Sequence, residues 1–200
     1  MKKQLIISVG REYGSGGHYI AKQLAERFGL PIYDHDILDH IGEAKGMDLS
    51  HMKKYDEGMK KPFFHKTVRG ISNSPEQALA EMQFQFLKDK AKSGESFVVV
   101  GRCGEEVLRD FEGLVSIFVR GEREQKVERI MEVRKMTKRE ARKAIERHDR
   151  ERKAYHNHYC KKKWGDSRNY DLCINSSRFG LEATTDILED YIKHAVTEEE

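Results

Sequence analysis

The chain has 200 residues, of which 38% are hydrophobic and 36% charged, so one domain of ordinary size with a highly charged surface is expected. Its 37 basic and 34 acidic residues give a net charge of +3, which argues against a dedicated nucleic-acid-binding protein. No apolar run reaches the roughly 18 residues of a membrane span, and the N-terminal MKKQLIISVG is too short and strand-like for a signal peptide. The three cysteines are few and widely spaced, which favours a reduced, cytoplasmic protein without disulfides.

Apolar runs predict five strands, and amphipathic segments between them predict helices. The strands are predicted at Leu5–Val9, Pro31–Tyr33, Phe97–Val100, Leu114–Val119 and Leu172–Ile174. The helices are predicted at about 20–28, 37–46, 74–93, 104–109, 122–134, 138–163 and 181–195. Strands that alternate with helices predict an α/β fold, in which helices cover both faces of a parallel sheet.

The first strand runs into a glycine-rich turn at the start of the first helix. Gly14, Gly16 and Gly17 allow the chain to curl tightly, with Ser15 among them. Backbone N–H groups of such a turn and the positive end of the helix dipole form a site for phosphate. A plain tight turn is the competing interpretation, but the order of strand, turn and helix favours a phosphate-binding loop.

This glycine loop, residues 14–17, departs from the usual nucleotide-binding pattern G-x-x-x-x-G-K-[ST]. Gly17 stands at the lysine position, and His18 or Tyr19 falls where a Ser or Thr would contact magnesium. The loop therefore has the outline of a P-loop without its two main side chains. Arg11, just before the loop, is a candidate to supply the missing positive charge.

Carboxylates follow the short second strand at Asp34 and Asp36. A carboxylate at a strand end beside a phosphate loop can bind magnesium through water or orient a substrate hydroxyl. Helix N-capping by either residue is the alternative.

Further along, residues 53–74 are charged and lack clean periodicity, which indicates a mobile segment or a solvated surface.

Arg102 follows the third strand, at the sheet edge where ligands bind in parallel α/β folds. A guanidinium at this position can hold a phosphate through two hydrogen bonds. Pairing of Arg102 with Glu105 or Glu106 is the alternative.

A basic segment covers residues 135–152, where arginines occur at positions 142, 147, 150 and 152. Residues 147 and 150 share a helix face, so Arg147 and Arg150 can meet over one anion. Phosphoryl transfer depends on positive charge around the moving group, which arginines on a closing flap would supply. Surface salt bridges of little energetic value are the competing interpretation.

The segment His156-Asn157-His158-Tyr159-Cys160 is not expected to bind metal, because alternate helical residues diverge and no second ligand pair has metal spacing. Trp164 is expected to pack rather than to stack on a base. The late strand and the cap at 175–177 can also line an adenine pocket.

The blocks ISVGREYGSGGHYIAKQLA, IYDHDIL, VVVGRCGEEVL and KKWGDSRNYDLCINSS resemble the cytidylate kinase-like family of P-loop proteins, over about residues 4–192. The resemblance implies a single three-layer α/β/α domain of the nucleoside monophosphate kinase type, with a five-stranded parallel sheet. It also implies a monophosphate-binding insert at about 37–93 and an arginine-bearing lid at about 135–155. ATP and Mg²⁺ would be the cofactors, with the ATP phosphates on residues 14–17 and a nucleoside monophosphate facing Asp34 and Arg102.

The chain departs from cytidylate kinases mainly in their base-reading residues. They have the P-loop lysine, whereas Gly17 stands here, and an aspartate after the Gly-Arg pair, whereas Cys103 stands here. The tyrosine and arginine after their second strand align with Asp39 and His40. The resemblance therefore does not fix cytidine monophosphate as the substrate.

Three functional hypotheses follow. The first is an ATP-dependent kinase of a small molecule, with a nucleoside monophosphate the leading acceptor and no nucleic-acid or membrane partner; a homodimer is left open. The second is a nucleotide-binding sensor with little catalysis, because one missing donor costs about a hundred- to thousandfold in rate. The third, nucleic-acid binding through residues 135–163, is the least favoured.

Overall fold

The computed structural model describes residues 3–34, 36–46 and 75–197 of the chain. The predicted mobile segment at 53–74, and with it most of the first half of the predicted insert, lies outside these residues.

Five strands and eight α-helices are described. The strands are β1 (Ile6–Arg11), β2 (Ile32–Tyr33), β3 (Phe97–Val100), β4 (Leu114–Arg120) and β5 (Leu172–Asn175). The helices are α1 (Gly17–Phe28), α2 (Ile37–Lys45), α3 (Pro75–Lys92), α4 (Gly104–Val107), α5 (Arg123–Arg134), α6 (Lys138–Tyr159), α7 (Ser176–Phe179) and α8 (Leu181–Thr197), and a short 3₁₀ helix covers Ser167–Asn169.

The strands form one parallel sheet in the order β2-β3-β1-β4-β5. The predicted α/β class with a five-stranded parallel sheet is confirmed. Because all strands run the same way, their carboxyl ends meet at one edge, where the loops after β1, β2 and β3 lie side by side.

Side chains of β1 alternate between two apolar layers, as the pleat of a strand requires. Ile7 and Val9 face a layer that contains α1 and α8, whereas Ile6 faces a second layer that contains α2 and α3. The predicted apolar face of α1 is confirmed, since Ile20 and Leu24 are fully buried in the first layer.

A third, smaller apolar cluster joins α5 to α6. Val127 and Ile130 of α5 pack on Ala141 and Ile145 of α6, and Tyr13 of the loop after β1 packs against them. A capping box between Thr137 and Glu140 fixes the start of α6. These contacts set α6 against the glycine loop.

Some predicted boundaries shift. The predicted helix 138–163 ends at Tyr159, because Cys160 takes an extended conformation that closes it. The predicted helix 104–109 is shorter and ends at Val107.

Within the described part of the chain, no helix is both long and apolar enough to cross a bilayer.

Candidate active site

The glycine loop is held by its own hydrogen bonds. The Ser15 hydroxyl is fully buried, donates to the carbonyl of Glu12 (2.8 Å) and accepts from the N–H of Gly17 (3.3 Å). Gly16 caps α1 with a φ of 81°, a left-handed conformation that favours glycine. The Ser15 side chain thus shapes the loop, which leaves backbone groups as the contacts that the loop can offer to phosphate.

The first turn of α1 presents N–H groups that have no intrahelical partner, as at every helix start. The side chains at this turn have neighbours of their own. His18 Nδ1 lies 2.7 Å from a carboxylate oxygen of Asp34, and the Tyr19 hydroxyl donates to Glu182 at 2.5 Å. His18 and Tyr19 therefore offer their backbone, rather than a hydroxyl like that of a P-loop Ser or Thr, to a bound phosphate.

Arg11 explains why glycine stands at the P-loop lysine position. A Cβ atom on Gly17 would lie 2.5 Å from the Cβ of Arg11 and 3.2 Å from that of Val119. The space that a lysine stem would need is therefore filled by Arg11. Because the closest contact is from Cβ to Cβ, any side chain at 17 would require the loop backbone to move.

The Arg11 side chain crosses the sheet edge from β1 toward β2. It passes over Gly101, where an added Cβ would lie 2.1 Å from Nη1, and its Nη2 lies 3.6 Å from a carboxylate oxygen of Asp34. Arg11 and Asp34 are 17% and 14% exposed. The predicted pair of strand-end residues is thus brought together, although 23 positions separate them in the sequence.

Asp36 lies at the start of α2 and accepts a hydrogen bond from the N–H of Asp34 (3.2 Å). Its carboxylate is 46% exposed and 3.9 Å from His40. Asp34 is therefore the carboxylate that lies beside the glycine loop, and Asp36 shapes the turn that holds it.

Arg102 occupies a strained turn after β3. Gly101, Arg102 and Cys103 have φ values of 74°, 54° and 54°, which is unfavourable for the two non-glycine residues. The two acidic residues proposed as alternative partners make other pairs, Glu105 with His156 and Glu106 with Arg109. Backbone strain of this kind is typical of functional sites and directs the arginine to the sheet edge.

Arg152 of α6 completes a group of three arginines. Its Nη1 donates to the carbonyl of Arg11 (3.1 Å), and its guanidinium lies 5.5 Å from the ring centre of Tyr13. We call Arg11, Arg102 and Arg152 the arginine cluster.

The arginine cluster brings three positive charges close together, with Asp34, Asp149 and Glu151 among their acidic neighbours. Burial, the charge of Arg152 and that of Arg102 lower the pKa of Arg11 to about 9, and Asp34 offsets this only in part. Burial likewise lowers the pKa of Arg152. Buried Nε of Arg11 has no hydrogen-bond partner within the described ranges. Because a bound anion would favour the charged guanidinium, the cluster is suited to binding phosphate.

Arg147 and Arg150, the arginines predicted for the lid, lie at exposed positions of α6. Arg147 contacts the neighbouring His148 ring at 3.2 Å. The residue of the basic segment that reaches the end of β1 is Arg152, which contacts Arg11 and Tyr13 just before the glycine loop. Catalytic roles for Arg147 and Arg150 stay predictions.

A network that the sequence did not reveal joins α6 to the glycine loop through Lys126 of α5. Lys126 Nζ lies 3.0 Å from Glu12 and 3.1 Å from Asp149, and only 8% of its side chain is exposed. Asp149 also accepts from the N–H of Tyr13 at 2.6 Å. The one available signal was that Asp149 and Arg152 lie three residues apart, on one face of the predicted helix.

A cavity of about 220 Å³ opens between α3, α4 and α6, beside the arginine cluster. Besides the three arginines, its lining includes the carboxylates of Glu76, Glu105 and Glu151 and the rings of Tyr155 and Trp164. Trp164 also packs edge-on against Phe118, with ring centres 5.3 Å apart, in line with its predicted packing role. The cavity therefore combines a cationic end with acidic and aromatic walls.

The wall formed by α4 and the end of α6 holds a buried polar cluster. His156 Nε2 and Glu105 Oε1 are 2.5 Å apart, and their side chains are only 6% and 5% exposed. Burial would lower the pKa of His156, but hydrogen bonds with Cys160 and Glu105 raise it to about 10. The hydrogen bond from Cys103 lowers the pKa of Cys160, and that same bond raises the pKa of Cys103, so Cys160 is the thiol of this pair that ionises.

Comparison with known proteins identifies the family and the fold of this chain. The sequence matches the cytidylate kinase-like family over residues 6–178. The chain belongs to the cytidylate kinase-like family. A search of curated proteins gave no match.

Solved structures show the same fold. An uncharacterized protein from Eubacterium ventriosum is 36% identical, with a TM-score of 0.76, and the alignment covers 95% of this chain and 99% of that one. Shikimate kinase from Bacteroides thetaiotaomicron aligns with a TM-score of 0.55 at 12% identity, over 94% of this chain and 98% of that one. Shikimate kinase from Acinetobacter baumannii, in complex with shikimate, aligns with a TM-score of 0.54 at 12% identity, over 96% of this chain and 95% of that one. The chain thus has the fold of P-loop kinases.

Proposed function

We propose that this protein is an ATP-dependent phosphotransferase that acts on a small acceptor, with a nucleoside monophosphate as the leading candidate. The observation that carries the proposal is the arginine cluster, which joins the glycine loop to the cavity at one sheet edge. Kinase-family membership and the P-loop kinase fold support the reaction class.

The residues present fit the phosphates of ATP. Gly14, Ser15, Gly16 and Gly17 would offer backbone N–H groups, followed by those of His18 and Tyr19 at the positive end of α1. The unpartnered Nε of Arg11 would donate to a phosphate oxygen. When bound, ATP supplies the phosphoryl group and Mg²⁺ neutralises its oxygens. Asp34, which lies beside the glycine loop, would bind that ion in exchange for part of its contact with His18 and Arg11.

The arginines would supply the positive charge that a P-loop lysine places beside the β- and γ-phosphates in other nucleotide-binding proteins. Arg11 lies between the glycine loop and Arg102, so it would hold charge on the moving phosphoryl group. Arg102 lines the cavity and would hold the phosphate of a monophosphate acceptor through two hydrogen bonds. Arg152 would neutralise the same region from the lid.

The acceptor cavity has features that suit a nucleotide without specifying its base. Tyr155 and Trp164 offer ring surfaces, and Glu76 and Glu151 offer acceptors for hydroxyl or amino groups. Asp34 and Asp36 stay predicted contacts for the acceptor.

One observation favours a second candidate, a nucleotide-binding sensor with little or no kinase activity. Gly17 leaves the loop without the lysine that contacts the β- and γ-phosphates, and one such donor is worth about 2.7–4 kcal/mol in the transition state. The two proposals differ in turnover and agree on nucleotide binding.

An ADP-release assay with paired ATP·Mg²⁺ and nucleoside monophosphates tests the proposal. Arg102→Ala should raise the acceptor KM or abolish turnover, while Arg123→Ala, which removes an exposed arginine of α5, serves as the control. Nucleotide binding without ADP release from any acceptor would favour the sensor. Kinetics of Arg102→Ala equal to those of the native protein would remove Arg102 from the site.

A further inference from the structure

Three side chains that can ligate metal converge where α6 ends against α4. Ligand atoms of Glu105, His156 and Cys160 all lie within 4.8 Å of one another, and all three residues are buried. His156 and Cys160 are four residues apart, so they project from one side of the end of α6. Glu105 reaches them from 51 residues upstream of His156.

We propose that Glu105, His156 and Cys160 bind a divalent transition-metal ion, with Zn²⁺ the ion that best matches their ligand atoms. Imidazole, thiolate and carboxylate are the groups that coordinate zinc in proteins. Mg²⁺ takes oxygen ligands, so this ion would be distinct from the magnesium that accompanies ATP.

Charge balance and the cost of burying charged groups favour metal binding by these three residues over a purely structural role. A thiolate, a carboxylate and a neutral imidazole together balance the two positive charges of the ion. Without the ion, the same buried groups depend on the short hydrogen bond between His156 and Glu105 and on the hydrogen bonds of Cys160 with His156 and Cys103, and buried charged pairs often fail to recover their cost of desolvation. Replacement of the bond between His156 and Glu105 by a metal would satisfy all three groups at once.

Metal binding would require the ligand atoms, which lie within 4.8 Å of one another, to move to the spacing of a zinc site. Zinc bonds of about 2.0–2.3 Å place two ligand atoms of one tetrahedral ion roughly 3.5 Å apart. His156 Nε2 and Glu105 Oε1, now 2.5 Å apart, would therefore separate by about an ångström and give up their shared proton, as metal binding generally requires. Cys103, the hydrogen-bond partner of Cys160, would support the thiolate from outside the ligand set.

The position gives the ion a place in the site. Glu105 and His156 line the same cavity as the arginine cluster, and the metal would fix the end of α6 to α4. Three protein ligands leave a fourth position, as in catalytic zinc sites, for water or an oxygen of the acceptor. The sequence pattern does not predict this arrangement, because His156 and His158 are alternate helical residues that diverge, and Glu105 is remote in the chain.

The inference is tested without nucleotide, so it stands or falls independently of the proposed phosphotransferase activity. Reduced full-length protein is titrated with Co²⁺ alone, and the thiolate-to-cobalt charge-transfer absorption is recorded. One equivalent of Co²⁺ should produce the band, and Zn²⁺ should displace it. Absence of the band at any Co²⁺ concentration would overturn the proposal.

Variants assign the ligands. Cys160→Ser should remove the charge-transfer band, and His156→Asn should weaken Co²⁺ affinity more than about tenfold, because loss of a partner outside the ligand set already costs roughly 10- to 100-fold. Cys173→Ser and His158→Asn, which change exposed residues of the same types, should retain both band and affinity. A band that survives in Cys160→Ser, or is lost in Cys173→Ser, would contradict the assignment. If Cys160→Ser does not fold, the same decision rests on His156→Asn and Glu105→Gln.

Discussion

Substitution of Gly101 by alanine tests whether the position of Arg11 matters for phosphoryl transfer. The new Cβ would lie 2.1 Å from Arg11 Nη1, a distance that real Cβ contacts essentially never show. Because the guanidinium is the far end of a flexible side chain, it should withdraw by about an ångström rather than unfold the sheet edge. A misplacement of that size can cost about a hundredfold in rate.

Gly94→Ala is the matched control for this substitution. Gly94 has a φ of 79°, close to the 74° of Gly101, but nothing lies within 4 Å of its added Cβ. Both alanines should therefore carry the same backbone strain, roughly 1–2 kcal/mol of unfolding free energy. Only Gly101→Ala should also displace Arg11.

The assay is ADP release at saturating ATP·Mg²⁺ and acceptor, with unfolding by urea measured in parallel. We expect kcat of Gly101→Ala to fall about a hundredfold, which corresponds to about 2.7 kcal/mol of activation free energy. Gly94→Ala should retain native kcat with a similar loss of stability. Equal kcat in the two variants would refute the role given to Arg11.

Three further predictions concern the loop and the lid. Gly17→Lys should lower activity instead of restoring a P-loop lysine, because its Cβ would collide with the Cβ of Arg11 and force the loop backbone to move; a gain in ADP release would show that the loop accepts this side chain. Asp149→Asn should lower the urea-unfolding free energy by about 1.5–3 kcal/mol, the range for a hydrogen bond to a charged group, because buried Lys126 then keeps only Glu12 as a charged partner. The exposed-pair control Glu146→Gln should change it by less than about 1 kcal/mol, and equal losses would remove the network from the account. Burial, followed by the charge of Arg147, lowers the pKa of His148 below 6.5. The folded state therefore favours the neutral imidazole, and the free energy of unfolding should fall as the pH falls below 6.5. His148→Phe should reduce the fall in unfolding free energy between pH 7 and pH 5, and an unchanged pH profile would count against the assignment.

The sequence predicted the parts of the site that depend on local order along the chain. A strand followed by a glycine turn and a helix is a local pattern, and so is an arginine directly after a buried strand. Since parallel strands end at one edge, Arg11, Asp34 and Arg102 could all be assigned to that edge before the structure was known.

The parts that the sequence did not predict depend on packing between distant segments. Which arginine of α6 reaches the loop is set by the rotation of that helix, and Ala141 and Ile145 fix this rotation by packing on α5. Helical spacing gives the faces of a helix but does not say which face meets the loop. Arg152 was therefore passed over in favour of Arg147 and Arg150.

The charged network has the same origin. Lys126 and Glu12 are 114 residues apart, and the sequence around each one predicts an ordinary surface charge. Their burial follows from the joint position of α5, α6 and the loop. The contact between Glu105 and His156 in the wall of the cavity likewise joins residues that are 51 positions apart, so the sequence does not predict it.

Thermal unfolding with ligands tests the central claim most directly. The protein is melted with ATP·Mg²⁺, CMP, dCMP, UMP and AMP, singly and in pairs, and ADP release is then measured for each pair that stabilises it. We expect ATP·Mg²⁺ to raise the melting temperature, one monophosphate to raise it further, and that pair to form ADP. No shift with any nucleotide would contradict the assignment of the glycine loop and arginine cluster as a phosphate-binding site.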